Sequence, residues 1–184
     1  MKLLKTYIAL LRGINVSGQK KILMADLKDH MAELGWEGIQ TYIQSGNIIF
    51  KSDETDPEKL AQKLKQKLHD KYGFDVPTLV LEPGELVHLI NNNPFTQDPE
   101  TAIERLAVTF LFETPQDGLV KKILEPEQTN EHFIFDEKFI FLYYPDGFGK
   151  VVMGNNAFEK TLKVEATTRN WRTVNKLYEM TSDG

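Results

Sequence analysis

Cysteine is absent from the 184 residues of this chain. That removes a disulfide framework, a thiolate nucleophile and every Cys-containing metal site, and it fits an intracellular, cytoplasmic address. Histidine is sparse, with 4 residues at positions 30, 69, 88 and 132. Glu85 and His88 stand at i, i+3 on a helical stretch, but they would need ligands from elsewhere to hold a metal, so neither a metal site nor a cofactor is expected. An excess of positive charge is lacking too. The formal net charge of −5 argues against a chain that coats polyanions, since sequence-independent affinity for nucleic acid comes from many cations neutralising phosphates. No stretch approaches the roughly 18 apolar residues of a membrane span, so no membrane partner is expected. The N-terminal MKLLKTYIALLRG imitates a secretory leader, yet Arg12 interrupts its apolar run and no small-residue cleavage site follows. We read it as a first strand. No Gly-x-Ser-x-Gly elbow or grouping of Ser, His and acid announces a nucleophile, so whether the protein catalyses anything is left open.

What is present is an ordered alternation of patterns. Thr6 to Leu11 reads as a buried strand, and Leu23, Leu27, Met31 and Leu34 at helical spacing mark a helix closed by Gly35. TYIQSGNIIF, Thr41 to Phe50, is a hairpin turning at Ser45-Gly46-Asn47. Asp56-Pro57 caps a helix with Leu60, Leu64, Leu68 and Tyr72 on one face, ended by Gly73, and Val76 to Leu81 follows as a strand. The first half therefore spells βαββαβ.

The second half repeats the order with different letters. After a short helix at Pro83 to Ile90 come a strand at Leu106 to Phe112, a helix at Gln116 to Leu124, and a hairpin at His132 to Tyr144 turning at Asp136-Glu137. A short helix at Asn156 to Leu162, a strand at Val164 to Thr168 and a terminal helix at Trp171 to Met180 complete it. The expected fold class is α+β: two ferredoxin-like halves, 1–82 and 83–184, the second carrying a connector helix and an extra C-terminal helix.

In a ferredoxin-like unit the first two strands run parallel, so the end of the first strand and the hairpin joining the second strand to the third share one edge of the sheet. That wiring brings Arg12, Gly13 and Asn15 toward Gln44, Ser45, Gly46 and Asn47. The 22 basic residues divide into 18 lysines and 4 arginines, at 12, 105, 169 and 172. Arg12 offers a planar fork of donors suited to carboxylate or phosphate, and the glycines permit close approach. A small anionic ligand is the guest this pole suits. Arg169 and Asn170, at the start of the last helix, form a second anion candidate, although Asn170 also reads as that helix's N-cap and Trp171 as a packing anchor. A tie between acidic and basic groups, or a plain turn, explains any one of these residues equally well.

Two tempting signals fail. Gly13-Ile14-Asn15-Val16-Ser17-Gly18 has P-loop glycine spacing, but Gln19 and Lys20 stand where Lys and Ser or Thr are needed. Phe139, Phe141 and Tyr143 alternate along one strand as base-stacking aromatics would, but no basic residue interleaves them, and burial explains them better. A module for single-stranded nucleic acid and a structural or oligomer-forming protein remain the alternatives, with the oligomeric state unspecified.

ALLRGIN, MADL, TYIQSGNIIF and ATTRNWRTVNKL together resemble the bacterial domain-of-unknown-function 1697 family. The resemblance implies a duplicated ferredoxin-like protein with no assigned activity. It marks Arg12, Gly13, Asn15, Gln44, Ser45, Gly46, Asn47, Thr168, Arg169, Asn170 and Trp171 as the positions matching the family pattern.

Overall fold

The computed structural model describes residues 3–123 and 129–182. The chain forms two compact units, one built from the residues up to His88 together with those from Lys176 onward, the other from Leu89–Asn175. Each unit contains one four-stranded antiparallel sheet.

In the first unit the chain runs β1 (Lys5–Leu11), α1 (Met24–Ala32), β2 (Glu37–Tyr42), β3 (Asn47–Ser52), α2 (Pro57–Tyr72), β4 (Thr78–Leu81) and α3 (Pro83–Asn92), which continues into the second unit. The sheet order is β2-β3-β1-β4, so β1 and β2 are parallel and separated by β3, as the expected pattern requires. The strand β1 is central because its last five residues are buried on both faces. Tyr7, Ala9 and Leu11 face α1 and α2, where they meet Leu27 and Met31 of the first helix and Leu60, Leu64 and Leu68 of the second. Full burial of each such leucine stabilises the fold by about 1.5–3 kcal/mol. Trp36 stacks on Phe50, ring centroids 4.3 Å apart. The helix α2 starts and stops where its letters say. Asp56 accepts hydrogen bonds from the N–H groups of Glu58 and Lys59, Pro57 fills the first turn, and Gly73 closes the helix at φ +72°.

The second unit runs β5 (Leu106–Leu111), α4 (Asp117–Ile123), β6 (His132–Asp136), β7 (Phe139–Tyr143), α5 (Asn155–Leu162), β8 (Ala166–Asn170) and α6 (Trp171–Ser182), whose last residues belong to the first unit. Its sheet order, β6-β7-β5-β8, reproduces that of the first. Ala107, Leu111, Ile140 and Leu142 pack against Phe158 and Leu162 of α5 and Ile123 of α4. The expected end of α4 at Leu124 lies outside the described residues.

Several boundaries differ by one or two residues from the sequence reading, β4 for example beginning at Thr78 rather than Val76. The strand β8 begins at Ala166, two residues later than expected, because Lys163 ends α5 in a left-handed conformation (φ +60°) and the chain needs Val164 and Glu165 to turn onto the sheet. The shift places Arg169 and Asn170 within the strand, opposite Val108 and Ala107. Three short 3-10 turns, Pro94–Gln97, Ile103–Arg105 and Phe148–Lys150, were not legible as such. Among the described residues no helix is long and apolar enough to cross a membrane.

Candidate functional site

The ladder between β1 and β3 ends with Leu10 opposite Asn47. From there two backbone hydrogen bonds pin the chain as it leaves the sheet: Leu11 N–H donates to the Gly46 carbonyl at 2.8 Å, and Arg12 N–H donates to the Pro77 carbonyl at 2.9 Å. Arg12 is thereby held between the β2–β3 turn and the lead-in to β4. It is half-buried, whereas Gln44 is exposed and Ser45 half-buried. The seven residues proposed from sequence for this pole come together as the wiring requires.

They divide by what they do. The Asn15 side chain is a clamp: its carbonyl oxygen accepts from the Ile22 N–H at 2.9 Å, and its amide donates to the carbonyls of Ile22 at 2.9 Å and Gln44 at 2.8 Å. Three bonds at about 1 kcal/mol each make this a tie between two loops. Asn47 is fully buried, its amide donating to the Tyr42 carbonyl at 3.1 Å and the Ser45 hydroxyl at 3.0 Å. Gly46 is required by packing, since a Cβ there would lie 2.5 Å from the Leu11 Cβ at a φ of +77°. Gly13 needs only its φ of +71°, with open space where a side chain would go. Of Arg12, Gln44 and Ser45, Gln44 is exposed, while Arg12 and Ser45 are half-buried and the Ser45 hydroxyl accepts from the Asn47 amide.

The segment with P-loop glycine spacing is a miniature hairpin. Ser17 (φ +50°) and Gly18 (φ +75°) form its two-residue tip, Gln19 N–H donates to the Val16 carbonyl at 2.9 Å, and Asn15 N–H donates to the Lys20 carbonyl at 3.2 Å. Positive φ at both tip residues is the signature of a type I′ turn, and Ser-Gly suits it. Lys20 is anchored: its ammonium donates to the Asp75 carbonyl at 2.6 Å and lies 5.9 Å from the centre of the Phe74 ring. Lys21 is exposed.

The second candidate is built differently. Arg169 is only 7% exposed, and its guanidinium donates to the Thr167 hydroxyl at 2.7 Å and the Thr168 carbonyl at 3.0 Å. Burial pushes its pKa down to about 10. Asn170 accepts the Thr173 N–H at 2.8 Å, so it caps α6 as its place before the last helix leads one to expect, and Trp171 is buried as a packing residue. Arg169 lies toward the end of the sheet away from the turn between β6 and β7, also as expected, since Leu111 at the turn's end pairs with Ala166.

The second unit serves as an internal control for the first. At the end of β5, Leu111 N–H donates to the Lys138 carbonyl at 2.8 Å and Phe112 N–H donates to the Glu165 carbonyl at 2.9 Å. These bonds reproduce those of Leu11 and Arg12. The duplicated backbone therefore makes the same connection with Phe112 in place of the arginine and Lys138 in place of the glycine. Charge differs as well. Segments 10–23 and 38–50 contain Arg12, Lys20 and Lys21 and no acidic residue, with Asp75 in the lead-in to β4, whereas segments 110–123 and 129–141 contain Glu113, Asp117, Glu131, Asp136 and Glu137 against Lys121, Lys122 and Lys138, with Glu165 in the lead-in to β8.

One residue of the first pole went unread in the sequence. Ile43, at the start of the β2–β3 turn, has φ +49° and is 51% exposed. Read within TYI it continued a strand. The signal available was a β-branched residue sitting one position before Gln-Ser-Gly-Asn turn chemistry. Among the described residues no group of three or more His, Asp or Glu side chains could hold a metal ion.

The topology and the repeated strand-end connections define the molecule as a duplicated ferredoxin-like α+β protein. It belongs to the family described as Protein of unknown function (DUF1697), whose model matches residues 4–141. The structure of a conserved bacterial protein, SP0830 from Streptococcus pneumoniae, is similar to it, with a TM-score of 0.74 at 28% identity over 97% of this chain and 99% of that one. No curated protein matches the chain.

Proposed function

We propose that the pole formed by the β1 end and the β2–β3 turn binds a small anionic ligand through a phosphate or carboxylate group. The observation that carries this reading is the internal control: the same backbone connection in the second unit is made without an arginine, so the topology does not require Arg12. A chain of net charge −5 nonetheless places three cations and no acid in segments 10–23 and 38–50, with Asp75 the one acid in the lead-in to β4 that meets them. Such a field attracts anions, and the guanidinium fork gives the attraction direction. In this reading Arg12 contacts the anion, Gln44 and Ser45 supply further donors, and Asn15, Gly46 and Asn47 hold the loops in register. Gly13 supplies the bend, while Arg169 and Asn170 act within the strand and as the helix cap.

The nucleic-acid alternative draws no support from its own residues, since Phe139 and Phe141 are buried and Tyr143 stacks on His132 with centroids 5.8 Å apart. Stacking platforms must be open to a base. Isothermal titration with inorganic phosphate and with short carboxylates, on native protein and on Arg12→Ala, tests the proposal. Saturable binding that Arg12→Ala weakens tenfold or more, on the order of 1.4 kcal/mol, is expected. Equal binding by both proteins, or none by the native protein, overturns it.

A further inference from the structure

We infer that β6 is an interaction edge at which a second copy of this chain docks, the two β6 strands pairing antiparallel about a two-fold axis at Ile134. Among the described residues β7 is the one strand that pairs with β6. The ladder runs without a break from His132 opposite Tyr143 to Asp136 opposite Phe139. A strand with one neighbour turns the N–H and C=O groups of alternate residues away from it, where a further strand can bond to them. The first unit shows that this fold can close the same edge to such use. Its counterpart β2 shifts register between Glu37 and Gln40, where Gly38 has φ +60°, and Glu37, Gly38 and Gln40 are all exposed. A bulge and polar side chains at an edge resist strand addition. In β6 the register is regular and the centre is Phe133-Ile134-Phe135.

The order of side chains along β6 selects the occupant. Phe133 and Phe135 pack against the core of their own unit, Phe133 meeting Phe158 edge-on with centroids 5.5 Å apart, so folding accounts for both. Ile134 alternates to the other face of the strand and is 40% exposed. In a two-fold pairing centred there, Ile134 lies opposite Ile134 of the second copy, Phe133 opposite Phe135, and His132 opposite Asp136. The strand is therefore complementary to itself, with apolar groups facing each other at the centre and no like charges opposed at the ends, as an isologous contact requires. Moving the axis one residue toward the turn sets His132 against Lys138, and moving it one residue the other way sets Glu131 against Phe135. Asp136 also has an interaction within its own chain, so the backbone edge and the apolar centre carry the pairing rather than an ion pair at its ends. A ladder of 5 residues per copy buries less than a standard interface, which makes the dimer weak and dependent on concentration.

The test is sedimentation equilibrium on native protein, on Ile134→Lys, on Ile134→Glu and on an equimolar mixture of the two variants. Native protein should show a monomer–dimer equilibrium. Each variant alone should associate about tenfold or more weakly, because it sets like charges opposite each other at the axis. The mixture should regain the dimer, with lysine facing glutamate, and that recovery requires residue 134 to face itself. Amide hydrogen exchange on native protein gives a second reading that needs no variant: protection at residues 133–135 should rise with protein concentration. A native protein that stays monomeric at the highest concentration overturns the inference, and so does a dimer that both variants retain. Monomeric variants whose mixture stays monomeric overturn the pairing at Ile134. Association that continues past the dimer, or exchange at residues 133–135 indifferent to concentration, also overturns it, since an isologous contact closes and covers that strand.

Discussion

Gly46 and Gly13 show how differently one residue type can be used within a single pole. Both have positive φ, but only Gly46 lies against a neighbour, with the Leu11 Cβ 2.5 Å from where its own would be. Gly46→Ala combines backbone strain with a clash against a fully buried strand, so a loss of about 3 kcal/mol or more is expected. Gly13→Ala meets nothing within 4 Å and should cost about 1–2 kcal/mol, the left-handed penalty alone. Urea denaturation of the two variants checks the difference, and equal losses would mean that the β2–β3 turn moves away from β1 freely. Both glycines were legible as turn residues. Which of them was irreplaceable was not, because the decisive contact is with a residue 35 positions away in sequence.

Elements in this chain are legible where local chemistry suffices. The helix α2 has an aspartate cap, a first-turn proline, leucines at positions 60, 64 and 68 and a terminal glycine, and its observed ends match that reading. The cap has a helper no pattern disclosed: Glu54 accepts the N–H groups of Thr55 at 3.0 Å and Asp56 at 3.3 Å. These bonds, Asp56 N–H first, hold the Glu54 carboxyl below its ordinary value of 4.5. A depressed carboxyl contributes stability that is present above its unfolded pKa and lost as pH falls through the folded one. Glu54→Gln should therefore melt at a lower temperature than native protein above pH 4.5, with the gap closing under acid conditions. A gap independent of pH would assign the loss to packing. By contrast β8 slipped two residues from its expected place, since Val164 has a strand's composition but follows a left-handed helix end. Periodicity over so short a run cannot fix where a chain rejoins its sheet.

The molecule as a whole makes its strongest statement through duplication. Two units with one strand order join β1 and β5 to their neighbours by the same pair of backbone bonds, with arginine after the first leucine and phenylalanine after the second. If the fold is indifferent to that choice, Arg12→Phe should leave the thermal midpoint close to native, within about 1 kcal/mol of stability, while abolishing phosphate binding. Calorimetry and titration on the same preparation separate the two effects. Unfolding of Arg12→Phe would show that the guanidinium is a structural tie and would favour the scaffold alternative.

Sequence by itself determined the order of elements, the duplicated βαββαβ pattern and the meeting of the Arg12 segment with the Gln44–Asn47 turn, because hydrophobic periodicity and turn chemistry are local and ferredoxin-like wiring leaves few other arrangements. Only the tertiary structure decided that Asn15 and Asn47 are spent inside the scaffold, and that Ile43 is both left-handed and exposed. The Asn15 amide finds the Gln44 carbonyl 29 residues away, and the turn that strand packing imposes sets the local bonds of Asn47 and the backbone of Ile43. No spacing rule encodes that geometry.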